Sequence, residues 1–159
     1  MRTSLRNLVY RGGLWVLAQA AMLSLILVSP LFSPRVLLWP GPIHEVVGAI
    51  FLLAGLVLFA SGGLALGANL TPLPHPRDRS ELCTRGIYRL VRHPIYGGVI
   101  LMSAGYCLLL PSMLEVLFAP VVFLFFDRKS VIEERRLRER YPGYETYSRS
   151  VRKLLPWLY

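Results

Sequence analysis

Acidic residues and metal-binding side chains are both scarce in this sequence. Nine Asp and Glu stand against eighteen Lys and Arg, and 159 residues include only two Cys and three His. Cys83 and Cys107 lack the spacing of metal or redox motifs, so two free thiols and no metal site are expected. His44 and His75 stand alone in connecting segments. Repeats and low-complexity runs are lacking too.

Apolar sequence is plentiful: 54% of the chain is hydrophobic, and the mean hydropathy is +0.49. It is gathered into blocks nearly free of charge and too long for the core helices of a soluble domain. The net charge of +9 raises the question of nucleic acid, which the positions of the charges answer. Arg2, Arg6 and Arg11 precede the first apolar block, and Arg77, Arg79, Arg85, Arg89 and Arg92 separate the second from the third. Nine more basic residues follow Phe126, leaving Arg35 alone elsewhere. This is the positive-inside pattern of a multispan membrane protein, with no need of nucleic acid. Sixteen of the eighteen basic residues are Arg, a bias that fits a GC-rich genome and a bacterial inner membrane.

The blocks define an all-α integral membrane protein. A first span is expected at residues 13–32; Ala18-Gln19-Ala20 resembles a signal cleavage site, but the apolar stretch before it is too short, so the span reads as uncleaved. A second span follows at 46–66, where Gly63 and Gly67 offer small-residue packing. The region 97–126 is too long for one straight span and too short for two ordinary ones. Pro111-Ser112 near its middle and basic segments at both ends predict a tight helical hairpin, with arms at 96–110 and 112–126 and a kink at Pro120. Four membrane helices result, with both termini cytoplasmic. The chain is read as one membrane domain: spans at 1–67, a cytoplasmic loop at 68–95, the hairpin at 96–126, and a cytoplasmic helix and tail at 127–159. Glu115, just past the hairpin turn, reads as a cap or surface charge. Oligomeric state is not legible.

Two segments could carry chemistry. Tyr88, Arg89, Arg92, His93 and Tyr96 cluster where the chain enters the bilayer. Pro94 suits the first turn of the next helix, while Gly97 and Gly98 permit close approach to its backbone. Free N–H groups at such a helix end suit an anionic ligand group. An interfacial anchor of snorkelling Arg and headgroup-level Tyr is the plainer reading. In the second segment, Phe126, Ser130, Glu133, Leu137 and Tyr141 recur at helical spacing, and Glu133 sits in mid-stripe where an apolar residue would be expected. An inward carboxylate is costly unless paired. An ordinary charge-laced helix on the membrane surface fits the spacing equally well.

Arg92-His93-Pro94-Ile95-Tyr96, followed by Glu133-Glu134, Leu137, Tyr144 and Tyr147, resembles the isoprenylcysteine carboxyl methyltransferase family. That family lies within a wider group of small membrane methyltransferases that includes phospholipid methyltransferases. The resemblance extends over residues 68–156, upstream through Asn69-Leu-Thr-Pro-Leu-Pro and Gly86-Ile-Tyr-Arg, which look like bacterial members. Ile87 stands where the family commonly has Pro, and prenylcysteine-modifying members have additional spans. The resemblance implies an S-adenosylmethionine pocket at the cytoplasmic face, lined by Tyr88, Arg92, His93, Tyr96, Gly97 and Gly98 and closed by Glu133 and Glu134. It also implies a lipid or lipid-modified acceptor arriving from the bilayer. A carboxylate acceptor needs a cation, for which Arg89, Arg92 and Arg128 are the candidates. An amine acceptor needs a base, for which Glu134 or His93 would serve. An NADPH-dependent membrane reductase and a non-catalytic protein binding anionic lipid are the alternative classes.

Overall fold

The computed structural model describes residues 12–34, 42–67, 70 and 81–159. Among them the only regular secondary structure is helical. Helix α1 (Gly13–Val28) ends in a single 3₁₀ turn, Ser29–Leu31, where Pro30 stops the helical ladder. Helix α2 (Ile43–Leu66) starts after Pro42 and ends at Gly67, whose φ of 49° and ψ of −121° form a backbone conformation that glycine adopts readily. A 3₁₀ turn, Gly86–Arg89, leads to α3 (Pro94–Leu109), which has proline in its first turn. Leu110 precedes Pro111 and leaves the helical region, as a residue before proline tends to. Helix α4 (Met113–Arg140) begins with the Ser112 side chain accepting from the Glu115 N–H, and α5 (Tyr144–Ser150) follows Pro142-Gly143.

Helix α1 with its 3₁₀ turn (Gly13–Leu31) and helix α2 are long and apolar enough to cross a membrane, and only 11% and 17% of their most apolar stretches are buried. A soluble core helix of that composition would be mostly buried. Here Leu17, Leu27, Leu53, Val57 and Leu64 all face outward. Lipid, rather than protein, is the medium such a surface requires.

The most extensive helix contact is between α2 and α3. Glycines make it. A Cβ on Gly98 would lie 2.6 Å from the Gly55 carbonyl oxygen and 2.7 Å from the Phe59 nitrogen. One on Gly105 would meet the Gly48 oxygen at 2.6 Å. Gly48, Gly55 and Gly62 thus form a seven-residue repeat on α2, facing Gly105, Gly98 and Pro94 on α3, and backbone touches backbone along it. The expected Gly63–Gly67 contact does not form among the described residues, where a Cβ at either has nothing within 4 Å. The stripe facing α3 runs through Gly62 instead.

Two further expectations are corrected. The helix expected to begin at Asp127 is no separate element, because α4 runs unbroken from Met113 to Arg140, through Pro120. The change from apolar to charged side chains at Phe126–Asp127 alters the surroundings but gives the backbone no reason to stop. Glu115 is not a surface charge: it is 1% exposed, accepts the Ser29 hydroxyl and ties α4 to the end of α1. Arg2, Arg6, Arg11, Arg35, Arg77, Arg79 and His75 lie outside the described residues, as does most of the expected loop.

Candidate functional site

Where α3 begins, three parts of the chain converge on a cavity of about 330 Å³. Arg92, His93 and Tyr96 come from the entry to α3; Lys129, Glu133, Leu137 and Tyr141 from α4; Tyr144 and Tyr147 from α5. Tyr88 lines it from the 3₁₀ turn, and Gln19 of α1 and Phe59 of α2 also reach it. The stripe inferred from spacing faces inward, with Phe126 and Ser130 fully buried and Glu133, Leu137 and Tyr141 on the cavity wall.

The two segments singled out in the sequence join through a pair of adjacent carboxylates. Glu133 accepts the Tyr96 hydroxyl at 2.7 Å and faces the cavity. Glu134 turns away from it, is 4% exposed, and accepts from Arg92 Nε at 2.9 Å with His93 Nε2 at 3.1 Å. Arg138, one turn on, reaches its other oxygen at 3.3 Å. Burial alone would raise the Glu134 carboxyl, but the hydrogen bonds and charge from His93 and Arg92 outweigh it and hold it at about 2. A carboxylate held so low is a poor proton acceptor at neutral pH, and its geometry ties Arg92 and His93 together in one buried cluster.

Arg92 is itself held from several sides. Its Nη1 donates to the Ser148 carbonyl at 2.7 Å and to that of Val151. The backbone N–H groups of Arg92 and His93 donate to the Arg152 and Lys153 carbonyls at 2.8 and 3.0 Å. The C-terminal segment therefore takes donors that the sequence reading left for a ligand. The glycines differ from expectation in the same way. Gly97 is pressed against the Leu154 carbonyl and Gly98 against Gly55 and Phe59, so both admit protein backbone and neither lines the cavity.

The cations also differ. Arg89 and Arg128 have exposed side chains and lie off the cavity. Lys129, one residue and about 100° further round α4, is 1% exposed and on the cavity wall. Its ammonium lies 2.5 Å from Gln19 Oε1 and 5.2 Å from the Tyr96 ring centre. Burial pulls its pKa down, while Glu133 one turn away opposes the shift. Lys129 is the main residue that sequence reasoning missed. Its signal was its position four before Glu133, which puts both on one face. Gln19 had a signal as well, as a lone amide in an apolar span.

Aromatic residues complete the wall. Tyr147 donates to the Tyr88 carbonyl at 2.6 Å, and His93 stacks on Tyr96 at 5.4 Å with the rings 2° from parallel. Burial raises the Tyr88, Tyr144 and Tyr147 phenols well above their ordinary value, so they stay protonated at neutral pH. The Tyr144 hydroxyl is buried with no hydrogen-bond partner among the described residues. Cys83, half-buried on the wall, and Cys107, buried in α3, are both free thiols. No group of His, Cys, Asp and Glu among the described residues could hold a metal.

Residues 43–143 match the phospholipid methyltransferase family, and the chain belongs to it. Among curated proteins it is similar to the probable protein-S-isoprenylcysteine O-methyltransferase of Oryza sativa subsp. indica, with 32% identity over 116 residues, 70% of this chain and 61% of that protein. Protein-S-isoprenylcysteine O-methyltransferase A of Arabidopsis thaliana is 30% identical over 115 residues, 70% of this chain and 58% of that one. The chain thus spans less than two thirds of the length of these relatives. In fold it is similar to the eukaryotic intramembrane Ras methyltransferase, isoprenylcysteine carboxyl methyltransferase. That match has a TM-score of 0.65 and 22% identity, covering 92% of this chain and 53% of the other.

Proposed function

We propose that the chain is an S-adenosylmethionine-dependent methyltransferase that O-methylates the carboxylate of a lipophilic, prenylcysteine-like acceptor drawn from the bilayer. The observation that carries this reading is the cavity in which Glu133, Tyr96 and Lys129 stand together, braced by the Arg92–His93–Glu134 cluster. The cavity suits the cofactor. Its volume falls in the range of small-molecule sites, its wall carries five tyrosines and two phenylalanines, and Tyr144 has a buried hydroxyl with no partner among the described residues.

When bound, the cofactor would supply an electrophilic methyl on a sulfonium. Glu133 would attract its cationic portion or accept from its hydroxyls, and the tyrosines would pack its faces and donate. Lys129 would hold the acceptor's carboxylate. Such an acceptor is already ionised at neutral pH, so no protein base is required. The protein contributes orientation and exclusion of water, together worth up to about 7–11 kcal/mol of barrier. Lys129 favours a carboxylate over an amine, because a cation in the wall repels an ammonium and attracts a carboxylate.

The same reading places four helices across a bacterial inner membrane, with both termini and the cavity on the cytoplasmic side and residues 1–159 forming one membrane domain. Calorimetric titration of detergent-purified protein with S-adenosylhomocysteine, with NADPH in parallel, tests the class. Saturable binding of the first alone is expected, and binding of NADPH alone would replace the proposal with a reductase. Lys129→Met then tests the acceptor: kcat/KM for a prenylcysteine analogue should fall about tenfold to a hundredfold, the size of a lost charge-assisted hydrogen bond, with affinity for S-adenosylhomocysteine kept. Unchanged turnover, or methylation of phosphatidylethanolamine instead, would refute the carboxylate assignment.

A further inference from the structure

Beyond the cavity, the last twelve residues form a second surface. After α5 the chain turns back on itself, and the Leu154 and Leu155 N–H groups both donate to the main-chain oxygen of Tyr159 at 2.8 Å. Trp157 sits at the tip with a φ of 62°. The turn is pinned to α4: Lys153 pairs with Asp127, the Tyr159 hydroxyl donates to the same carboxylate at 3.1 Å, and the Tyr159 ring lies 5.8 Å from that of Phe123.

This attachment sets the depth of the turn. Leu117, Val121 and Leu124 of α4 carry the exposed apolar surface that belongs in lipid, and the charged half of the helix starts at Asp127. Phe123 and Asp127 straddle the boundary, so the turn lies at the level where α4 leaves the hydrocarbon. There it exposes Trp157 by 80% and Leu158 by 78%. Beside them Arg149 and Arg152 are exposed; Arg149 is shared with Glu145, and Arg152 makes no ion pair among the described residues. Arg149, Arg152, Lys153 and Leu158 line a shallow depression on this face.

We propose that this C-terminal turn is a docking surface for anionic phospholipid of the surrounding bilayer. Arg149 and Arg152 hold the headgroup phosphate, while Trp157 and Leu158 enter the interface beside it. The charge is of the right sign, the apolar tip continues the lipid-facing side of α4, and tryptophan at a membrane boundary is favoured. A soluble acidic protein fits less well, because the two exposed apolar side chains sit level with the bilayer surface. The site does not depend on the identity of the methyl acceptor. It does adjoin the cavity, since the carbonyls of Arg152 and Lys153 hold the backbone of Arg92 and His93. Lipid bound at the turn would therefore steady that wall.

The test uses the full chain with Trp15→Phe and Trp39→Phe, leaving Trp157 as the sole tryptophan, in nanodiscs of phosphatidylcholine carrying brominated phosphatidylglycerol or brominated phosphatidylcholine. Both lipids should quench Trp157, the anionic one with the higher relative association constant. Adding Arg149→Gln and Arg152→Gln should reduce that preference roughly fivefold or more, since each basic side chain near the surface is worth about that factor. Equal quenching by the two lipids, a preference that survives the double Gln variant, or quenching by aqueous iodide in place of bromolipid would each overturn the proposal.

Discussion

Gly97→Ala should separate the C-terminal segment from the cavity without touching a cavity residue. The new methyl would fall inside the contact distance of the Leu154 carbonyl oxygen and 3.2 Å from its carbon, with backbone rather than a flexible side chain in the way. Leu154 is fully buried, so the segment can yield only by lifting away. Lifting stretches the bonds from the Arg92 and His93 N–H groups to the Arg152 and Lys153 carbonyls, now 2.8 and 3.0 Å. Two backbone hydrogen bonds at about 0.5–1.5 kcal/mol each put about 1–3 kcal/mol behind this attachment. If the cofactor site requires it, affinity falls by about 5- to 150-fold. Titration with S-adenosylhomocysteine reads the effect, with Gly63→Ala as control because no described residue lies within 4 Å of a Cβ there. Helix content and monodispersity should match wild type in both variants. Wild-type affinity in Gly97→Ala would refute the reasoning, showing that the C-terminal segment does not set the geometry of Arg92 and His93.

Glu134 makes acid sensitivity calculable in sign. Its carboxyl is lowered from 4.5 to about 2 on folding, so its contribution to stability is complete above pH 4.5 and is lost as pH falls toward 2. The unfolding temperature in detergent should decline over that window, and less steeply in Glu134→Gln; parallel profiles would show that the carboxylate is not held by its partners. Glu133→Gln should weaken S-adenosylhomocysteine about tenfold to a hundredfold by titration while the protein still inserts, because a charge-assisted contact is lost; unchanged affinity would remove Glu133 from the site. Gly98→Ala should cost about 1–3 kcal/mol by overpacking α3 on α2, read as a lower unfolding temperature, and an unchanged transition would mean the helices can separate cheaply.

Periodicity made the face of α4 legible before the fold was known: Phe126, Ser130, Glu133, Leu137 and Tyr141 needed only the helical repeat to be grouped. The division of labour between Glu133 and Glu134 was not legible. Adjacent helical residues point about 100° apart, and which of them meets the cavity depends on where α3 lies. The same gap separates Arg128 from Lys129. The glycine repeat escaped notice because Gly48, Gly55 and Gly62 stand seven apart, and that spacing has meaning only once Gly98 and Gly105 are opposite. Glu115 was misjudged because its partner, Ser29, is 86 residues away. The role of the C-terminal turn was hidden for a similar reason: it acts through carbonyl groups, which every residue has, so no side-chain pattern announces it.

The unbroken course of α4 has a consequence for how this sequence can change through descent. Glu115 and Glu133 are eighteen residues apart, five full turns, so the tie to α1 and the cavity carboxylate lie on the same side of one rod. Losing or gaining one residue between them would swing Glu133 by about 100° while Glu115 stayed bound to Ser29. Substitutions among Val116, Leu117, Val121 and Leu124, which face lipid, leave that phase intact. Lineages should therefore diverge freely in the letters of this stretch and hardly at all in its length.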